Sequence, residues 1–220
     1  MINPNELKVL IVCEESQTTT IEFRKLGFQA YSNDIKDCSG GFPQYHLKMD
    51  CFEAIERIKP TLLIGHPPCT FLSYVANNNW TDTIRTSKRI EAAKFFMDLY
   101  NTNVKYICLE NPLGIMSKLF RKSDQEIHPY YFGEMQVKRT CLWLRNLPLL
   151  HYSLNNTLFD VKTSCEKPNP VHSWINKKGK QKREYYINVY NTDEAYRSKS
   201  FKAISEAMAK QWGYYICQQP

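Results

Sequence analysis

Thr61-Leu62-Leu63-Ile64-Gly65-His66-Pro67-Pro68-Cys69-Thr70 decides how this chain is read. The apolar run Thr61–Ile64 is too short for a helix and suits a buried strand. The next segment is a stiff loop, because two consecutive prolines fix φ and remove two backbone donors. A thiol at Cys69 then stands at the carboxyl end of a strand, where open α/β sheets carry their chemistry. Val104–Leu109 is a second strand-like run, and Glu110-Asn111-Pro112 follows it with a carboxylate and a proline. A thiol and a carboxylate on neighbouring strand ends can attack and protonate one heterocycle. The competing reading makes Cys69 a small buried hydrophobe, the common state of a free cysteine.

Outward from this stretch the chain alternates strand and helix. Lys8–Cys13 is short and β-branched, and Ser16–Leu26 has helical spacing that stops at Gly27. Phe28–Ser32 reads as a second strand ending at Asn33-Asp34. A polar connection closes at His46–Asp50 before the amphipathic Phe52–Ile58. Ile84–Tyr100 carries Ile90, Ala93, Phe96, Met97 and Tyr100 at three- to four-residue spacing and is the strongest helix. This alternation predicts an α/β domain with a Rossmann-like parallel sheet, right-handed crossovers and helices on both faces. Residues 151–196 break the pattern, being rich in Asn, Lys, Pro and Tyr with one strand-like stretch at Glu184–Tyr190. A helix over Ser200–Trp212, with Phe201, Ile204, Met208 and Trp212 on one face, ends at Gly213 and returns to the sheet. The expected division is a core of residues 1–150 and 197–220 with a small basic insertion at 151–196.

A chain of 220 residues with 13% aromatic content supports one well-buried domain. Eight cysteines (13, 38, 51, 69, 108, 141, 165 and 217) form no CxxC pair, which fits thiols in a reducing compartment and gives no zinc or other metal site. No apolar run approaches membrane-spanning length and no signal peptide is visible, so a soluble, cytoplasmic protein without membrane partners is expected. Nothing specifies an oligomeric state.

The net charge of +7 is uneven: residues 151–199 hold nine Lys or Arg against five Asp or Glu, with Lys177, Lys178, Lys180, Lys182 and Arg183 around Gly179. A polyanion suits such a cluster, and a merely solvated face is the alternative. In doubly wound folds an acidic side chain about 20 residues past the first strand binds ribose hydroxyls, a position Asp34 fits. Asp50 could hydrogen-bond a base edge. Both could equally be loop acids or helix caps. The first turn, Cys13-Glu14-Glu15-Ser16-Gln17-Thr18, is acidic and has no glycine. It would repel a pyrophosphate, which disfavours NAD or ATP.

In this order, the acidic turn, Asp34, Asp50, the Pro-Pro-Cys loop, Leu-Glu-Asn-Pro and Lys138-Arg139-Thr140 resemble the cytosine-C5 DNA methyltransferases, which use S-adenosylmethionine. More narrowly, His66-Pro67-Pro68-Cys69-Thr70, Glu110-Asn111-Pro112, His128-Pro129 with Phe132-Gly133, Lys138–Leu144 and Ala207–Gly213 are similar to the short versions encoded by phages and prophages. The likeness spans residues 8 to 213 and fails mainly in 151–196.

The resemblance implies a class I methyltransferase sheet with DNA as partner and host cytoplasm as location. C5 of cytosine is a poor nucleophile, so an enzyme first adds to C6, and a thiolate suits that reversible conjugate addition. Cys69 would be the thiolate. Glu110 would be a carboxylic acid of raised pKa hydrogen-bonded to N3. Lys138 and Thr140 align with the basic motif lining the target-base pocket. Glu14, Ser16, Asp34, Asp50 and Pro67 would surround the cofactor, with Ser200 and the closing helix completing that pocket. Asn111 and Pro112 fix the strand end, and His66 is a loop hydrogen-bonder. Two features depart from the family. Gln17 stands where glycine is usual, and the insertion is small for a duplex whose base must be flipped out. Trp174, Tyr185, Tyr186 and Tyr190 could grip a single strand. Single-stranded DNA, RNA or a free cytosine nucleotide therefore stay open as substrates, as do an amino-group (N4/N6) methyltransferase and a non-catalytic nucleic-acid- or nucleotide-binding protein.

Overall fold

The central strands read as unbroken apolar runs because both of their faces are buried. The computed structural model describes residues 2–74, 83–157, 160–170, 172–175, 182–185 and 200–219. Its main sheet comprises β1 (Lys8–Val12), β2 (Gln29–Asp34), β3 (His46–Lys48), β4 (Leu62–Gly65), β5 (Tyr106–Pro112), β6 (Gln125–Ile127) and β7 (Thr140–Arg145). The helices are α1 (Thr18–Lys25), α2 (Cys51–Ile58), α3 (Thr83–Tyr100), the short α4 (Met116–Leu119) and α5 (Lys202–Cys217). Strands β8 (His172–Ile175) and β9 (Lys182–Tyr185) form a separate antiparallel pair.

The order across the sheet is β3-β2-β1-β4-β5-β7-β6. Strands β3 through β5 run parallel, whereas β7 is antiparallel to both β5 and β6. This is a Rossmann-like α/β sheet with helices on both faces. The sheet is thus mixed, and the expectation of parallel pairing holds for five of its seven strands. The antiparallel strand has a consequence for position. Because Thr140 pairs with Pro112, the start of β7 lies at the carboxyl end of β5, and Lys138 and Arg139 arrive at the edge where β1 and β4 also end.

Val9, Ile11, Leu62, Ile64, Cys108 and Leu142 face one core with Phe23 of α1 and Ile204, Met208, Trp212 and Ile216 of α5. Leu10, Val12, Leu63, Ile107, Leu109 and Trp143 face the other, with Ala54 and Ile55 of α2 and Ala93, Phe96 and Leu99 of α3. Alternation along each strand divides its side chains between the two layers.

Several boundaries differ from the sequence reading. On α3 the buried positions are Arg89, Ala93, Phe96 and Leu99, and Ile90 is exposed, so the buried stripe is turned from the one expected. Helix α5 runs through Gly213 to Cys217. A β-carbon at 213 would meet the Phe28 ring at 2.8 Å, so this glycine provides a close approach between elements and does not stop the helix. Strand β5 extends through Glu110 to Pro112 because β7 pairs along its whole length, placing Glu110 inside the strand. Lys138 and Arg139 precede β7, which begins at Thr140. The strands β3 and β6 were not foreseen, and three residues each carry no readable period. No described helix is long and apolar enough to cross a membrane.

Candidate active site

Parallel pairing of β4 with β5 sets Gly65 opposite Leu109, so the residues that follow, His66 and Glu110, meet at the carboxyl edge of the sheet. His66 Nδ1 lies 2.7 Å from Glu110 Oε2, and the two side chains are only 13% and 16% exposed. Burial alone would favour the neutral form of each. The mutual hydrogen bond and charge overcome burial in both, raising His66 above its ordinary 6.5 and holding Glu110 below its ordinary 4.5. Lys138 adds to the effect on Glu110. The expected upward shift of Glu110 is therefore corrected: its mutual hydrogen bond and charge with His66, helped by Lys138, shift its carboxyl group downward.

The loop after His66 is fastened to the end of β5 on both sides of the thiol. Asn111 Nδ2 donates to the Pro67 carbonyl at 2.7 Å, and Ile115 N donates to the Leu72 carbonyl at 2.8 Å beside a bridge between Ser73 and Gly114. Pro67 and Leu72 are buried under these tethers, while Pro68, Cys69 and Thr70 are exposed. The Cys69 carbonyl accepts from Leu72 N and Ser73 N, closing the turn. Cys69 is the exposed thiol among the eight cysteines. Burial pushes Cys51 up to about 12 and raises Cys13, Cys108, Cys141 and Cys217, keeping those thiols protonated. Lys138 sits with its ammonium 5.1 Å from the Phe201 ring. Thr140 is buried in the sheet, its hydroxyl directed to the Lys138 carbonyl at 3.4 Å.

The first turn is built differently from a glycine turn. Gln17 takes the left-handed conformation (φ 58°, ψ 16°) that glycine favours. Its buried amide donates to Ser32 Oγ and the Phe42 carbonyl and accepts from Phe42 N, which clamps the 38–42 segment onto the turn. Glu14 is buried, and its two carboxylate oxygens accept from Thr19 N, Thr20 N and Thr20 Oγ1, capping α1 against its positive end. Asp50 is exposed and caps α2 through Phe52 N and Glu53 N. Asp34 is half-buried and accepts from Lys36 N.

A cleft of ≈ 620 Å³ opens between α1, the 39–40 segment, residues 134–136 and the start of α5. Its wall includes Ser16, Thr18, Gln136, Ser200 and Phe201, with Glu22, Glu134, Lys25 and Lys202 supplying both signs of charge. Of the expected cofactor residues it brings Ser16 and Ser200 together and leaves Glu14, Asp34, Asp50 and Pro67 outside its wall. Its size falls within the range of small-molecule sites. Phe201 joins this cleft to Lys138, and Lys138 acts on Glu110.

No family model matches the chain, and no curated protein matches it. Solved structures similar to it include Dnmt2 methyltransferase from S. pombe, with 13% identity and a TM-score of 0.43 over 63% of this chain and 48% of that one. The Entamoeba histolytica methyltransferase EhMeth has 15% identity and a TM-score of 0.47 over 74% of this chain and 58% of that one. A mutant of Spodoptera frugiperda DNMT2 has 16% identity and a TM-score of 0.39, again over 74% and 58%. The chain spans about half the length of these proteins. The fold assignment stands on the strand order.

Sequence reasoning assigned His66 no partner. The available signal was its place one residue past a strand whose neighbour ends in Leu109-Glu110. Gln136 and Phe201 in the cleft were also missed as site residues. Lys177, Lys178 and Lys180, with Tyr186, Tyr190 and most of the expected strand Glu184–Tyr190, lie outside the described residues; Lys182 and Arg183 fall on β9.

Proposed function

We propose that this chain transfers a methyl group from S-adenosylmethionine to C5 of cytosine in nucleic acid, with DNA as the first substrate class. One observation carries the reading: the exposed Cys69 loop is fastened at both ends to the strand that holds Glu110, at the carboxyl edge of a methyltransferase sheet. S-adenosylmethionine, when bound, supplies an electrophilic methyl on a sulfonium. Ser16, Ser200 and the charged wall of the cleft would hold it, with Asp34 near the same sheet edge, while Glu14 and Asp50 shape the site as helix caps.

Cys69 acts as the nucleophile at C6, the stiff Pro67-Pro68 approach holding its sulfur in one direction. Glu110 faces N3, and Lys138 places a positive charge beside the ring and the carboxylate. Thr140 sets the backbone that delivers Lys138. Lys182 and Arg183 on β9, with Lys177, Lys178 and Lys180 near them in sequence, supply charge for the phosphate backbone.

The test is incubation with labelled S-adenosylmethionine and an oligonucleotide carrying 5-fluorocytosine. A covalent protein–DNA adduct that vanishes in Cys69→Ser is the expected result. Methyl transfer that survives Cys69→Ser would reassign the chain to amino-group methylation, and binding without adduct or transfer would make it non-catalytic. Running deoxy- and ribo-oligonucleotides in parallel decides between DNA and RNA.

A further inference from the structure

The proposed chemistry leaves one gap. When the Cys69 sulfur adds to C6, its electron pair forms the S–C6 bond. The C5–C6 π pair moves to C4–C5, the C4–N3 π pair moves onto N3, and N3 takes up a proton. Glu110, its proton affinity lowered by His66 and Lys138, is a poor proton donor by itself.

His66 stands where that proton can be stored. Its Nδ1 is 2.7 Å from Glu110 Oε2, and its Nε2 is buried with no hydrogen-bond partner among the described residues. The charged groups acting on the ring are Glu110 from β5, Glu14 from the turn after β1 and Lys138 from the segment before β7. Two carboxylates face one ammonium, and a proton on the imidazole balances the set. Glu14 is committed to α1 by three hydrogen bonds, which leaves Glu110 as the group through which this proton can leave.

We propose that His66 is the proton reservoir of the site, passing a proton from Nδ1 to the Glu110 carboxyl group as that group protonates N3. This inference rests on the C5-methylation reading. The step balances within the site: the S–C6 and N3–H bonds form, the His66 N–H bond breaks, and imidazolium becomes neutral imidazole. When the C5 proton is lost and the thiolate leaves, N3 returns its proton by the same route. His66 is a positioning residue for Glu110 and touches no reacting atom. The arrangement keeps the carboxylate ionised and aimed between turnovers, yet able to act as an acid during addition.

The experiment measures the rate of 5-fluorocytosine adduct formation against pH for the wild type, His66→Gln and Cys69→Ser. Glutamine keeps an N–H donor for Glu110 but holds no titratable proton. The wild type should lose rate as pH rises above 6.5, through the His66 titration. In His66→Gln that descending limb should be absent and the rate at pH 7 lower by roughly 100-fold, the scale of general acid catalysis. An unchanged limb in His66→Gln, or a rate within about threefold of wild type, would overturn the inference alone. Absence of a Cys69-dependent adduct in the wild type at every pH would overturn both the inference and the reading beneath it. NMR of histidine-labelled wild type gives a check that needs no variant. The His66 ring should titrate above its ordinary 6.5, and titration below that value would overturn the proposal.

Discussion

Gly114 lies so close to Leu72 that a β-carbon at 114 would stand 2.0 Å from the Leu72 carbonyl oxygen. The same approach lets Ile115 N donate to that oxygen and fastens the far side of the thiol loop to the end of β5. Gly114 has no positive φ, so its role is to leave space for backbone. Gly114→Ala must push the two segments apart. Overpacking of this kind costs about 1–3 kcal/mol. Urea unfolding should register that loss, and the rate of Cys69 adduct formation should fall even at temperatures where the variant remains folded.

Asn111 secures the near side. Asn111→Ala leaves the buried Pro67 carbonyl without its donor, which should cost about 1–3 kcal/mol. Alkylation of Cys69 by iodoacetamide should stay close to the wild-type rate, because the thiol is already exposed, whereas adduct formation should drop. Equal losses in both reactions would show that the tether does not orient the sulfur.

At Gln17 two effects oppose each other. Glycine would relieve a left-handed backbone that costs about 1 kcal/mol. It would also remove three side-chain hydrogen bonds to Ser32 and Phe42, each contributing about 1 kcal/mol. The hydrogen bonds win. Gln17→Gly should lower stability by about 2 kcal/mol in denaturant titration and loosen the 38–42 segment, visible as faster amide exchange at Phe42.

The pairing of His66 with Glu110 predicts a definite pH window. His66 is raised in the folded state, so its contribution is complete below 6.5 and is lost as pH climbs through the higher folded value. Glu110 is lowered, so its contribution is complete above 4.5 and is lost as pH drops through the lower folded value. A double-mutant cycle with His66→Gln and Glu110→Gln should therefore give its largest coupling, about 0.5–3 kcal/mol, between pH 4.5 and 6.5. Coupling that is flat from pH 4 to 9 would contradict the ionic pair.

Local pattern was enough for much of the fold. Lys8–Val12, Leu62–Gly65 and Tyr106–Leu109 are legible as strands because burial on two faces demands uninterrupted apolar side chains, and the intervening helices followed from spacing. Where the reading failed, a distant partner made the decision. Gly213 signals a helix end, yet α5 continues because the glycine admits the Phe28 ring. Glu110 seems to follow its strand, yet an antiparallel neighbour from later in the chain carries the ladder on to Pro112.

The sequence by itself determined the alternating α/β pattern, the stiff Pro-Pro-Cys loop and the residue types that could perform the chemistry, because propensity, period and proline geometry act within a few residues. Only the tertiary structure decided which groups share a proton. His66 and Glu110 are 44 positions apart and meet through the register of β4 on β5. An ionisable group's proton affinity is set by what lies within a few ångströms of it, and that neighbourhood exists only once the chain has folded.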